Sequence, residues 1–252
     1  MFPDPAFVDW NFIMGPGSDW HTLRSQLYHF GQQLPFQQRI PKFTFRGVNS
    51  SAARVELLNK FTARTDIADV RPFAWGMQVL PIPVSEHNRS AGYLAPEDSC
   101  RYKYILYADG WGVSFRLKYL LMCGSILLTH DVKHKDILLT ALKPNEDIYY
   151  VGPRWERLEE TYRYLESQDQ AQLAARARAV TDKVYGFTSD HGLACYIVEL
   201  LWQYKESVQT WEVEKPNPEQ ELSLDHFFKM AAPKRDQDSC YDALASCAQV
   251  PV

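Results

Sequence analysis

Two short stretches of the sequence bring arginine, hydroxyl side chains and glycine together where a strand ends and a helix begins. The first is Arg46-Gly47-Val48-Asn49-Ser50-Ser51-Ala52-Ala53-Arg54, and the second is Asp109-Gly110-Trp111-Gly112-Val113-Ser114-Phe115-Arg116. At such a junction the first helical turn leaves backbone N–H groups without acceptors and presents the positive end of the helix dipole. An anion fits there, and a guanidinium adds a bidentate donor suited to phosphate. A cation in a first helical turn is unfavourable with the dipole, so Arg116 points to an anionic partner. Taken alone, the second stretch also reads as a tight βα turn with a surface arginine, and the first as a helix cap with a solvated face. Together, three arginines at two sheet edges suit a diphosphate held from both sides.

Other candidates carry less chemistry. His130 and His134 lie in a run between an apolar strand and a helix that reads as a solvated loop, and Asp190-His191 reads as a helix cap and its neighbour. There is no G-x-G-x-x-G, no P-loop and no G-x-S-x-G elbow. The five cysteines, at 100, 123, 195, 240 and 247, form no C-x-x-C pair and no zinc spacing. Two sequons, at Asn49 and Asn88, are weak pointers to a lumenal life.

The elements that must position these residues follow from periodicity and punctuation. An aromatic, proline-broken opening through Gly17 precedes a helix capped by Ser18 or Asp19, with Trp20, Leu23, Leu27 and Phe30 on one face. Phe43–Phe45 reads as a strand, followed by a helix capped by Ser50 or Ser51 and carrying Val55, Leu58 and Phe61. Prolines break residues 66–98 into loops with short strands. A strand at Tyr102–Tyr107, a helix from Ser114 to about Cys123, a strand at Ser125–Thr129, a helix near Lys135–Leu142 and a strand at Asp147–Val151 come next. Helices at Arg154–Glu166, Gln168–Tyr185 and Asp190–Lys205 complete the body. Strand–helix alternation with short links predicts an α/β fold on a parallel sheet. After residue 208 the chain is polar and proline-rich, a mobile tail.

With 252 residues, 46% apolar and 23% charged, the chain suits a globular fold with a sizeable core. The formal charge of −4 shows no basic face for nucleic acid or anionic membrane. No apolar run reaches the length of a spanning helix, and Met1 is followed by neither a basic nor an apolar leader.

Arg46-Gly47 followed by Ser50-Ser51 and Arg54, then Tyr102-Lys103-Tyr104 and Ser114-Phe115-Arg116-Leu117-Lys118-Tyr119-Leu120, resembles glycosyltransferase family 90. The similarity continues through Gly124-Ser125, Leu142-Lys143-Pro144, Tyr149-Tyr150-Val151 and Cys195-Tyr196, covering residues 1–206. The family includes fungal capsule-associated xylosyltransferases and animal protein O-glucosyltransferases. The resemblance implies a GT-B architecture, with a Rossmann-like C-terminal lobe (residues 42–208) and only part of the N-terminal lobe (1–41), before the tail (209–252). It implies an inverting, metal-independent transfer of glucose or xylose from a UDP-sugar to a protein or polysaccharide hydroxyl, in the ER or Golgi lumen. Membrane contact would come only through a segment outside this sequence.

Carried over by position, the donor contacts would be Arg46, Gly47, Ser50, Ser51 and Arg54 at one edge. At the other they would be Gly112, Val113, Ser114, Phe115 and Arg116. The resemblance also pairs Cys100 with Cys123, leaves Cys195 free, and places the general base upstream of Met1; Asp66 corresponds loosely to a family aspartate. Two readings compete: a glycosyltransferase chain holding the donor half, or a nucleotide-sugar-binding or scaffolding protein without catalysis. An unrelated α/β interaction domain is a third. If the first lobe is missing, the last helix and the opening aromatics should expose apolar surface, with Trp10, Phe12 and Trp202 as markers.

Overall fold

A computed structural model describes residues 20–72 and 94–207. The expected opening segment with Trp10 and Phe12, the Asn88 sequon, the side chain of Trp202 and the tail after 208 lie outside these residues.

Helix α1 (Trp20–Gln33) leads into strand β1 (Ile40–Gly47), α2 (Ala52–Phe61) and β2 (Ala68–Pro72). A one-turn helix α3 (Pro96–Ser99) precedes β3 (Tyr102–Tyr107), followed by α4 (Leu117–Leu120) and β4 (Ile126–Thr129). Next come α5 (Ile137–Ala141), β5 (Ile148–Tyr150), α6 (Leu158–Ser167), α7 (Gln170–Phe187) and α8 (Asp190–Ser207). The five strands form one parallel sheet in the order β2-β1-β3-β4-β5. Strand order reverses between β1 and β3, and in open parallel sheets ligands bind outside the strand ends at that switch point.

All six residues of β3 and all four of β4 are buried, because a parallel sheet is covered on both faces and its strands read as continuous apolar runs. On one face Phe43, Phe45, Tyr104, Leu106, Ile126 and Leu128 pack with Leu57, Leu58 and Phe61 of α2, Leu158 and Leu165 of α6, and Leu173 and Ala177 of α7. Trp155 belongs to the same core; it is fully buried, sits at φ 61° and donates from Nε1 to Ala53 O at 2.8 Å. At the opposite ends of the strands Arg39 spends all five N–H donors on Leu34 O, Cys123 O, Ser125 Oγ and Gly31 O. Burial lowers its pKa to about 10, and these acceptors hold the charge in place. Cys100 and Cys123 are joined by a disulfide with Cα atoms 4.6 Å apart.

Several expectations need correction. Val55 is exposed, and Leu57 takes the buried position instead. The helix expected from Ser114 to Cys123 is only the four-residue α4 and a 3-10 turn at Leu121–Cys123, with Arg116 rather than Ser114 at the N-cap position. The chain bends at Trp111 and Gly112 and enters the helix only at Leu117, so the short helix contributes little dipole.

The chain divides into two compact units, and residues 187–207 belong to the second. There Ser189 Oγ accepts from the first turn of α8, at Gly192 N (3.0 Å), and Asp190 is the first residue of the helix. Leu201 and Tyr204 are 42% and 56% exposed. Cys195 is disulfide-bonded, contrary to the expected free thiol.

Candidate functional site

The two arginine stretches meet at the switch point, where β1 runs into α2 and β3 runs toward α4. Ser51 is the N-cap of α2 and accepts from Arg54 N (3.3 Å), while its O–H donates to Asp109 O (2.9 Å). The cap therefore also ties the first stretch to the second. Arg54 does the same with its guanidinium: Nε and Nη2 donate to Ala108 O (3.3 and 2.9 Å), and Nη1 donates to Ser50 Oγ (3.0 Å). Ser50 accepts that bond, and among the described residues no acceptor takes its O–H. Gly110 makes the approach possible, since a Cβ there would lie 2.9 Å from Ser50 Oγ and 3.4 Å from the Arg54 guanidinium.

Arg116 reaches the same place from the other side. It donates to the carbonyl of Arg46, and its Cζ lies 5.5 Å from the Phe45 ring centroid, with that of Arg54 6.0 Å from the same centroid. Gly47 keeps this spot open: a Cβ there would strike the Phe45 ring at 2.5 Å and come 3.5 Å from Arg116 Nη2. Among the described residues no carboxylate forms an ion pair with Arg54 or Arg116, and none accepts from Nε or Nη2 of Arg116. Burial, with Arg54 second, pushes the Arg116 pKa down to about 10. Burial also lowers that of Arg54, against smaller opposing effects of Tyr107 and Asp109. Arg116 still carries its charge at neutral pH. The site holds two neighbouring, desolvated positive charges whose mutual repulsion an anion would relieve.

The remaining candidates divide by what already holds them. Arg46 is turned toward β2, with Nη2 2.8 Å from Asp69 Oδ2 and Nη1 donating to Asp69 O, so it fixes strand ends. Burial works to raise the Asp69 pKa, but Arg46 and the Tyr102 hydroxyl hold the carboxyl below its usual range. Ser114 N donates to Tyr107 Oη (3.2 Å), which anchors the far end of the second stretch. Between the anchors Gly110 N donates to Gly112 O (3.0 Å), and Trp111 at the apex is 91% exposed. Val113 and Phe115 flank Ser114, and nothing lies within 4 Å of a Cβ built on Gly112. Asp66 pairs with Arg64 on the surface (3.0 Å), and the described residues include no group of three metal-ligating side chains.

The run through His130 and His134 is a loop with Asp131, Lys133 and Lys135 exposed, as expected, but His130 is not solvated. His130 is 3% exposed, and both rings face the buried carboxylate of Asp109. Sequence reasoning missed this cluster because its parts come from two connections that only the β3–β4 pairing brings together. An aspartate directly before a glycine turn was the one available signal.

The family model described as "Glycosyl transferase family 90" matches residues 1–250. Among curated proteins, the chain is similar to "O-glucosyltransferase rumi" of Drosophila melanogaster, 24% identical over 231 residues, covering 86% of this chain and 51% of that protein. It is similar to "Protein O-glucosyltransferase 1" of Bos taurus (24% over 217 residues; 79% and 52%) and of Homo sapiens (23% over 194; 73% and 47%). The chain spans about half the length of these curated relatives. No helix among the described residues is long and apolar enough to cross a membrane.

Proposed function

The chain belongs to glycosyl transferase family 90, and from that premise we propose that its parallel sheet carries the donor-binding half of a glycosyltransferase. The donor in this reading is UDP-glucose or UDP-xylose, and the acceptor a hydroxyl of a protein or polysaccharide. The observation that supports it is the pair Arg54 and Arg116, gathered at the switch point without a carboxylate ion-pair partner among the described residues.

In the proposed reaction the acceptor oxygen attacks the anomeric carbon as the bond to the diphosphate breaks, inverting that carbon. Negative charge then gathers on the departing phosphate, and positive groups fixed there beforehand stabilise the transition state. Arg116 and Arg54 supply that charge, the Ser50 hydroxyl adds a donor, and Arg46 and Ser51 hold the strand ends in register. With two guanidinium groups in this role, the reading expects no metal. The acceptor's proton passes to a base expected from another lobe of a GT-B architecture, outside the described residues. In this reading the reaction belongs to the secretory pathway, an expectation supported only by the family resemblance.

A calorimetric titration with UDP, with and without magnesium, tests the reading. Micromolar binding that magnesium leaves unchanged is the expected result. A folded chain that ignores UDP would overturn it and favour a family member that serves as a scaffold. Gly110→Ala is expected to weaken UDP by several-fold, because the new methyl must displace Ser50 Oγ from 2.9 Å. Melting should shift by only a few degrees, as for a change of about 1 kcal/mol. An unchanged affinity would show that the close approach of the two stretches does not matter.

A further inference from the structure

Trp111 stands at the apex of the turn that carries β3 into the second arginine stretch, and its ring is almost wholly in water. The other tryptophans whose side chains are described, Trp20 and Trp155, are enclosed. Among the described residues no ring packs on Trp111 and no acceptor takes its Nε1 proton. Nothing in the unliganded fold accounts for a tryptophan here, since a small polar residue would turn the chain without leaving an indole in solvent.

The turn is nevertheless firmly held. Asp109 O accepts from Ser51 Oγ (2.9 Å), and the Asp109 carboxylate accepts from Lys133 N (3.1 Å). Gly110 N donates to Gly112 O (3.0 Å), and Ser114 N donates to Tyr107 Oη (3.2 Å). The loop has lost its freedom before any ligand arrives, so a contact with the indole is not offset by the cost of ordering it. The chain also fixes the place of the indole relative to the arginines. A Cβ built on Gly110, the residue before Trp111, would lie 3.4 Å from both Cζ and Nη2 of Arg54. Trp111 follows about 3.8 Å further along the backbone. On its other side, a Cβ built on Gly112 meets nothing within 4 Å, so open space lies beside the indole. A ligand whose charged part sits at Arg54 can lay its next ring in that space.

We propose that Trp111 is a stacking platform for the base of the nucleoside diphosphate whose phosphates the arginine pair holds. The inference rests on that reading of the pair. A nucleotide sugar carries a ring on each side of its diphosphate, the base and the sugar, and the turn suits the base. A sugar is recognised through its hydroxyls, and the residues around the indole, Gly110, Gly112 and Val113, bring no polar side chain. A base presents a flat π face, which stacks on an aromatic plane without needing hydrogen-bond partners.

The test is the affinity of the full chain for UDP, UDP-glucose and inorganic pyrophosphate, measured by calorimetry beside a thermal melt. It compares the parent protein with Trp111→Ala and Trp111→Phe. Pyrophosphate carries the charge and lacks both rings. Trp111→Ala should weaken UDP and UDP-glucose alike, by roughly five- to 150-fold, as for the loss of one base–aromatic stack. Pyrophosphate affinity and the melting temperature should stay at the parent's values, and Trp111→Phe should keep most of the UDP affinity. Unchanged UDP binding by Trp111→Ala, or UDP and pyrophosphate weakened by the same factor, overturns the inference and leaves the donor site standing. A loss confined to UDP-glucose would assign the ring to the sugar and overturn it too. A folded parent that binds neither UDP nor pyrophosphate overturns the donor site, and the inference with it.

Discussion

Arg116→Ala should abolish measurable UDP binding while leaving the unliganded fold intact. The guanidinium is largely enclosed, carries its charge at neutral pH, and has one described acceptor, the Arg46 carbonyl. Removing a desolvated charge from a charged ligand costs about 2–5 kcal/mol, or roughly 30- to several-thousand-fold in affinity. The unliganded protein loses one hydrogen bond but also sheds a desolvated charge that repels Arg54, and these effects oppose each other. Calorimetry with UDP beside a thermal melt separates the cases. Lost binding with a melting temperature within a few degrees of the parent's is the predicted pattern. Retained binding with a large drop in melting temperature would make Arg116 a structural strut and remove the main support for the donor site.

Trp155→Ala is predicted to have the largest effect on stability. The indole is 1% exposed, lies in the core shared by β1, β3, β4, α2 and α6, and donates to Ala53 O. Its backbone is left-handed, which disfavours a bulky L-residue by about 1–2 kcal/mol, and the packing of the ring outweighs that cost. Truncation removes the packing and leaves a cavity, for a loss of about 3–5 kcal/mol. In a protein of this size that is a fall of roughly 6–20 °C in melting temperature. Trp155→Phe should recover most of the loss but not the bond to Ala53. A variant melting within about 2 °C of the parent would mean that the core closes over the gap, contrary to the close packing described.

The sheet was readable because β3 and β4 are runs of aromatic and branched residues bounded by turns, and a capping signal placed the start of α2. The arginine stretches were readable as chemistry for the same reason: motif and junction coincide in sequence. What each residue in them does was not. Arg46 and Arg54 look alike on paper, yet Arg46 turns to Asp69 on the neighbouring strand while Arg54 bridges to Ala108. That choice depends on strand order, which periodicity does not encode. Ser50 and Ser51 are equivalent as caps until the Asp109 carbonyl claims Ser51. The Asp109 cluster was hidden because each histidine, taken alone, looks like loop polarity.

The all-parallel sheet has a consequence for how the protein is made. No two neighbouring strands are joined by a hairpin, so each pairing waits for the connection between the strands to be synthesised and closed. β1 is the extreme case, because its inner partner β3 comes only after α2, β2 and α3. At roughly 5–20 residues per second on the ribosome, Phe43 and Phe45 lack their β3 neighbours for several seconds before Tyr104 and Leu106 exist. During that interval the nascent strand offers apolar side chains and an unpaired backbone edge to any neighbouring chain. Yield from cells should therefore depend on chaperone supply and growth temperature more steeply than the stability of the finished sheet would indicate.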